Sequence, residues 1–178
     1  TYTVPSNMVA VGNGKLRNIS TNNDKSTYEW FVSNPINNYN ISVQIGNYVA
    51  VQDTFIKDDT IHEMNHYVLD YNKELASNYF TQSKEVIRFY EKYFGDYQWY
   101  EDGYKLIEVP YLGMEHQSAV TYGNGFSIYN GVRSKSWPMY GVIDPLIIHE
   151  TGHEWFGNSV TAQDPTHIWI HEGLQVYS

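Results

Sequence analysis

Two stretches of the 178-residue chain set a pair of histidines four positions apart around a glutamate: His149-Glu150-Thr151-Gly152-His153 and His62-Glu63-Met64-Asn65-His66. Both fit the H-E-x-x-H pattern, and each is followed, after eighteen residues, by a further glutamate, Glu172 and Glu85 respectively. On a helix, residues i and i+4 point the same way, so two such histidines can grip one metal ion. Two His and one Glu form a known catalytic zinc set, because a tetrahedral hydrolytic zinc keeps three protein ligands and one open position. Glu150 would then stand beside the metal as a base. In a strand the same spacing fails, since residues four apart lie about 13 Å from each other at the strand rise.

The surrounding sequence separates the two copies. Asp144-Pro145 supplies an N-cap acceptor and a proline at the first helical position, where its missing N–H is not needed. Leu146, Ile147, Ile148, Trp155 and Phe156 give that helix apolar flanks, and Gly157-Asn158 tolerates the left-handed backbone that ends a helix. The expectation is a helix from Pro145 to about Phe156. Asp164-Pro165 repeats the start signal, so a second helix, His167 to Tyr177, should bring Glu172 back to the first. By contrast, residues 62–69 alternate with period two and read as a strand. Glu85 sits with Lys84, Arg88 and Lys92 on the solvated face of an amphipathic helix and reads as an ion-pair partner. The metal expectation therefore rests on His149, His153 and Glu172. Two His and two Glu in so apolar a helix pair would be costly to bury without a neutralising charge.

The rest of the chain is mixed. From Val4 to about Asn72, β-prone runs (Met8 to Val11, Leu16 to Ile19, Tyr28 to Val32, Ile41 to Tyr48, Val49 to Ile56) alternate with turn residues. Asn13-Gly14 between the first two predicts a type I′ hairpin, and Asn22-Asn23-Asp24 and Ser33-Asn34-Pro35 mark further turns. Lys73 to Phe94 carries helical periodicity and should form one or two amphipathic helices, stopped by Gly95-Asp96. Lys105 to Val109 and Met114 to Tyr122 predict strands, and a Gly- and Ser-containing loop runs on to Tyr140. The fold class expected is α+β.

Composition narrows the function. The net charge of -9 speaks against a nucleic-acid-binding face. No run of 18 apolar residues predicts a membrane span, and the N-terminal residues lack a signal-peptide pattern. The chain therefore reads as soluble, with no compartment indicated. Zero cysteines leave only His, Asp and Glu as metal ligands.

The segment His149 to Thr161, HETGHEWFGNSVT, followed by Trp169-Ile170-His171-Glu172-Gly173, closely resembles the zinc aminopeptidases of the aminopeptidase N and leukotriene hydrolase family, which are gluzincins. That family carries HExxH, then WFGN and VT, then a Trp-Leu-Asn-Glu-Gly ending. Gly113-Met114-Glu115-His116 resembles its G-x-M-E-N exopeptidase signature, with Leu112 in place of the first Gly and His116 in place of the Asn; Thr121-Tyr122 also match. His171 replaces the Asn before the third ligand and, pointing away from Glu172's face, is expected to be structural.

The resemblance implies one Zn2+ held by His149, His153 and Glu172, with Glu150 as the base acting on water. Glu115, flanked by Gly113 and Met114, would bind the free α-ammonium group of a peptide substrate. It also implies that residues 1–72 are the C-terminal part of an N-terminal β domain and 73–178 the first part of a thermolysin-like catalytic domain. In the family a tyrosine well beyond the third ligand and a helical C-terminal domain complete the site, so the chain reads as a fragment with little activity of its own. The alternatives are a related hydrolase that is not an exopeptidase and a catalytically silent member used as a binding scaffold.

Overall fold

The computed structural model of the chain describes residues 1–126 and 143–178. Its strands are β1 (Tyr2–Pro5), β2 (Val9–Gly12), β3 (Lys15–Asn22), β4 (Lys25–Phe31), β5 (Val43–Gly46), β6 (Tyr48–Lys57), β7 (Thr60–Leu69), β8 (Leu106–Glu108), β9 (Gly113–Met114) and β10 (Val120–Tyr122). The helices are α1 (Lys73–Tyr79), α2 (Gln82–Phe94), α3 (Pro145–Gly152) and α4 (Trp169–Tyr177), with single 3-10 turns at Asn38–Asn40, Asp70–Asn72 and Pro165–His167. The α+β class holds.

Among the described residues the strands form three sheets, ordered β1-β4-β3, β2-β5 and β6-β7-β8-β10-β9. In the largest, β6 and β7, ten residues each, make an antiparallel hairpin, β8 and β10 run parallel, and β9 is a short antiparallel edge. This sheet joins strands from both sides of residue 72. α2 and α3 cover it, and side chains such as Met64, Phe80, Ile87, Leu106, Tyr122 and Ile147 make the core between the layers.

Three local expectations are corrected. Asn13-Gly14 is a turn but not a hairpin: β2 pairs with β5 while β3 pairs with β4. Gly14 alone of the two adopts positive φ, at 75°, whereas a type I′ turn needs both. The Asn13 side chain instead donates to the carbonyls of Asn40 (3.0 Å) and Gln117 (2.7 Å) and accepts from Ser42 N (2.7 Å). Second, Met114 to Tyr122 is not one strand. It folds back between β9 and β10, with Ser118 at φ 58° and Ala119 N bonded to His116 O. Third, α3 ends at Gly152 rather than Phe156. His153 is its C-cap, and the Trp155 and Phe156 amides both turn back to Gly152 O.

Other features match their signals. Residues 73–94 form two helices, and the Asp144-Pro145 start is built as expected, Asp144 Oδ1 accepting from Leu146 N at 2.8 Å. The predicted loop to Tyr140 falls largely outside the described residues.

Candidate metal centre

α3 sets His149 and His153 one turn apart, and α4 leans across so that Glu172 meets both. His149 Nε2 approaches His153 Nε2 to 3.3 Å, Glu172 Oε2 lies 3.4 Å from His149 Nε2, and Glu172 Oε1 lies 3.5 Å from His153 Nε2. With one donor atom taken from each residue, all three fall within 4.8 Å of one another. Donors about 2.0–2.1 Å from a tetrahedral zinc stand roughly 3.4 Å apart, so the donor set and its spacing fit such an ion.

Neighbouring groups orient these side chains. His153 is fully buried, and its Nδ1 lies 2.8 Å from Phe156 O. A carbonyl only accepts, so the proton sits on Nδ1 and the Nε2 lone pair faces His149 and Glu172. The shortened helix makes this contact possible, because the chain bends after His153 and returns the Phe156 carbonyl to the ring. Burial, followed by the His153 ring, lowers the pKa of His149, outweighing the opposite pull of Glu172 and of the Gln175 side chain. The net effect keeps a neutral, ligand-competent imidazole.

Glu150, on the same helix, is buried and its pKa is pushed up to about 8, first by burial, then by the carboxylates of Glu115 and Glu172. Three carboxylates thus stand close enough to act on one another, and among the described residues none is paired with a Lys or Arg, an arrangement that favours a cation. Gly113 lies over Glu150; a Cβ there would fall 2.6 Å from Glu150 Oε1. Glu115 is buried in the turn between β9 and β10 rather than on a strand edge. Its neighbour Met114 pairs with Thr121 across β9 and β10, and Thr121 Oγ1 donates to Met114 O at 3.3 Å. His116 has a lowered pKa, mainly from burial, and its Nδ1 has no partner among the described residues.

The other sequence candidates part company with the centre. His62 lies tilted against Tyr100, ring centres 3.9 Å apart, and His66, on the same strand β7, accepts from Leu106 N at 2.9 Å. Glu85 pairs with Arg88. His171 is structural: its Nε2 accepts from Ala162 N at 2.8 Å, and its ring stacks on Tyr39. Gly152, unexplained in sequence, is a close approach, since a Cβ there would fall 2.6 Å from Tyr90 Cζ and 2.9 Å from Gln175 Nε2.

Sequence reasoning missed several residues around the centre. Tyr39 and Asn40, from the N-terminal half, reach it from 118 or more residues away, Tyr39 contacting His171 and Asn40 contacting Asn158. Glu154 is fully buried, and burial raises its pKa to about 7 despite donors from Ser118 N, Asn158 Nδ2 and Tyr97 OH. Lys105, also buried, donates to Gly14 O (2.7 Å) and Ser118 O (2.6 Å). An unusual density of polar residues in an apolar helix end was the one available signal; the partners are too distant in sequence to show any.

Comparison with known proteins agrees with the geometry. The model of the peptidase family M1 domain matches residues 78–178. Aminopeptidase M1-D of Oryza sativa is 22% identical over 180 aligned positions, covering 99% of this chain and 20% of that protein. Human endoplasmic reticulum aminopeptidase 2 is 32% identical over 114, covering 60% of this chain and 11% of that protein. The chain thus spans about a fifth or less of the length of these relatives. In three dimensions, the M1 zinc metallopeptidase of Deinococcus radiodurans superposes with a TM-score of 0.75 at 18% identity, over 98% of this chain and 37% of that one. Since the family model covers more than half of the chain, including the paired histidines and Glu172, this protein belongs to peptidase family M1.

Proposed function

We propose that this chain carries the zinc centre and amino-terminus pocket of an aminopeptidase that hydrolyses the first peptide bond of peptides with a free N-terminus. The observation that carries the reading is the convergence of His149, His153 and Glu172 at tetrahedral spacing, with Glu150 and Glu115 beside them. In this reading those three residues hold one zinc ion, which when bound supplies Lewis-acid polarisation of the carbonyl and lowers the pKa of water. Glu150 takes the proton from the attacking water and returns it to the leaving amine. Its buried position is compatible with both protonation states, as that shuttle requires.

Glu115 holds the substrate's α-ammonium group by a charge-assisted hydrogen bond. A carboxylate fixed at one distance from the hydrolytic centre selects chain ends, because an internal peptide nitrogen carries no charge to pair with it. Gly113 and Met114, on the edge strand β9, line the approach. We further propose that residues 1–72 belong to an N-terminal β domain and 73–178 to the start of the catalytic domain. Turnover is assigned to the polypeptide that joins these residues to the remaining length typical of the relatives, and zinc binding to this chain by itself.

An unblocked peptide and its N-acetyl form, offered to that longer polypeptide, test the reading. Cleavage of the first alone is expected. Equal cleavage of both would contradict an aminopeptidase, and cleavage of neither by zinc-loaded protein would point to a silent scaffold.

A further inference from the structure

Asn158 lies where three separate parts of the chain meet. Its backbone N–H donates to His153 O at 2.9 Å, tying it to the end of α3. Its side-chain Nδ2 donates to the backbone carbonyl of Glu115 at 3.1 Å and to Glu154 Oε2 at 2.9 Å, while its Oδ1 accepts from Asn40 Nδ2 at 2.6 Å. Both donor hydrogens and the acceptor are therefore used, and the side chain is buried. Asn40 is itself held, since its carbonyl accepts from Asn13 Nδ2, and the same Asn13 nitrogen also bonds Gln117 O. The turn bearing Glu115 is thus gripped from both sides, by Asn158 at Glu115 and by Asn13 at Gln117.

We infer that Asn158, braced by Asn40, is a positioning residue that sets the distance between Glu115 and the His149, His153 and Glu172 centre, and so determines the selectivity for a free N-terminus. The inference rests on the aminopeptidase reading above. In any α-amino acid the spacing from ammonium nitrogen to carbonyl carbon is fixed, so an anchor and a hydrolytic centre that share one substrate need a rigid separation. The path His153–Asn158–Glu115 supplies it in two hydrogen bonds. Asn40 brings in the N-terminal half, so the selectivity of the site depends on residues far from it in sequence.

The test uses zinc-loaded protein and two probes, Ala-Ala-Ala and its N-acetyl form, with binding measured by calorimetry and zinc content by elemental analysis. Asn158→Ala is expected to keep one zinc per chain while the preference for the unblocked peptide falls about tenfold, the size of one well-placed hydrogen bond. Asn40→Ala should shift the same preference by a smaller factor, also at full zinc occupancy. Zinc-replete variants that keep the wild-type preference would overturn the inference. Should Asn158→Ala lose its fold or its zinc, Asn40→Ala decides alone, and an unchanged preference there overturns it. A wild-type protein that holds zinc yet shows no preference for the free amine refutes the role of Glu115 itself, a failure visible without any variant, and this inference falls with it.

Discussion

At the level of single residues, the two H-E-x-x-H copies have the same spacing and different environments. His66 shows what the strand copy does with a histidine: buried on β7, it accepts from Leu106 N, and its pKa is held down to about 4, chiefly by burial, with Lys84 and Lys105 lowering it further and Asp53 opposing. The unfolded value is near 6.5, so the unfolded chain binds this proton more tightly. The stabilisation is complete above pH 6.5 and is lost as the pH falls through about 4, by on the order of 3 kcal/mol in total. Chemical denaturation of metal-free protein between pH 7 and 4 should show that slope, flattened in His66→Gln; equal slopes would remove His66 as its source. At the other copy, Glu150→Gln keeps the size and removes the proposed base. Zinc should stay bound, and hydrolysis by the longer polypeptide should fall by about 10²–10⁴-fold. That His149, His153, Glu150 and Glu172 come together was legible because a helix cap, apolar flanks and a second capped helix all lie nearby in the sequence. The placement of Tyr39, Asn40 and Asn158 was not, since the contacts that bring them to the site, Tyr39 to His171, Asn40 to Asn158 and Asn158 to Glu115, span more than 40 residues and follow no local period.

The elements show where local rules and packing disagree. Gly152 in the last turn of α3 costs about 1 kcal/mol in helix propensity relative to Ala, yet the Tyr90 ring and Gln175 occupy the space that a methyl would need. Gly152→Ala is therefore expected to destabilise by about 1–3 kcal/mol through overpacking. A raised Tm would show that propensity wins and that Tyr90 can move. The start of α3 is anchored more heavily than its N-cap alone implies. Asp144 is buried and accepts from Leu146 N, Tyr79 OH (2.8 Å), Tyr122 OH (2.7 Å) and Asn124 Nδ2. Asp144→Ala should cost about 3 kcal/mol or more, because buried donors would be left unpaired as well as the helix uncapped. A loss below 1 kcal/mol in thermal unfolding would mean that water replaces the carboxylate. The cap itself was legible from Asp-Pro. Its three side-chain donors, and the early end of α3 that lets Phe156 O reach His153, are tertiary effects that override the local pattern.

Across the described residues, one five-stranded sheet ties the hairpin β6–β7 to the strands beside the site, and the N-terminal half reaches the later elements through Asn13 and Asn40 and through its contacts with Asp102. The Asp102 carboxylate accepts from Ser33 N and Asn34 N. The α+β class was readable from the shift of periodicity at residue 73, whereas strand pairing was not: the Asn13-Gly14 signal belongs to a turn between sheets. α4 exposes Trp169, Val176 and Tyr177, and no helix among the described residues is long and apolar enough to cross a membrane. The proposed zinc ion is held at His149, His153 and Glu172 by this scaffold alone. Elemental analysis of purified protein after zinc loading and extensive dialysis measures this directly. One zinc per chain is expected in the wild type and in Glu150→Gln, with loss in His149→Ala and His153→Ala while both variants remain folded by circular dichroism. Zinc retained at full stoichiometry by either folded histidine variant, or absent from the wild type, would mean that these three residues do not form the zinc site.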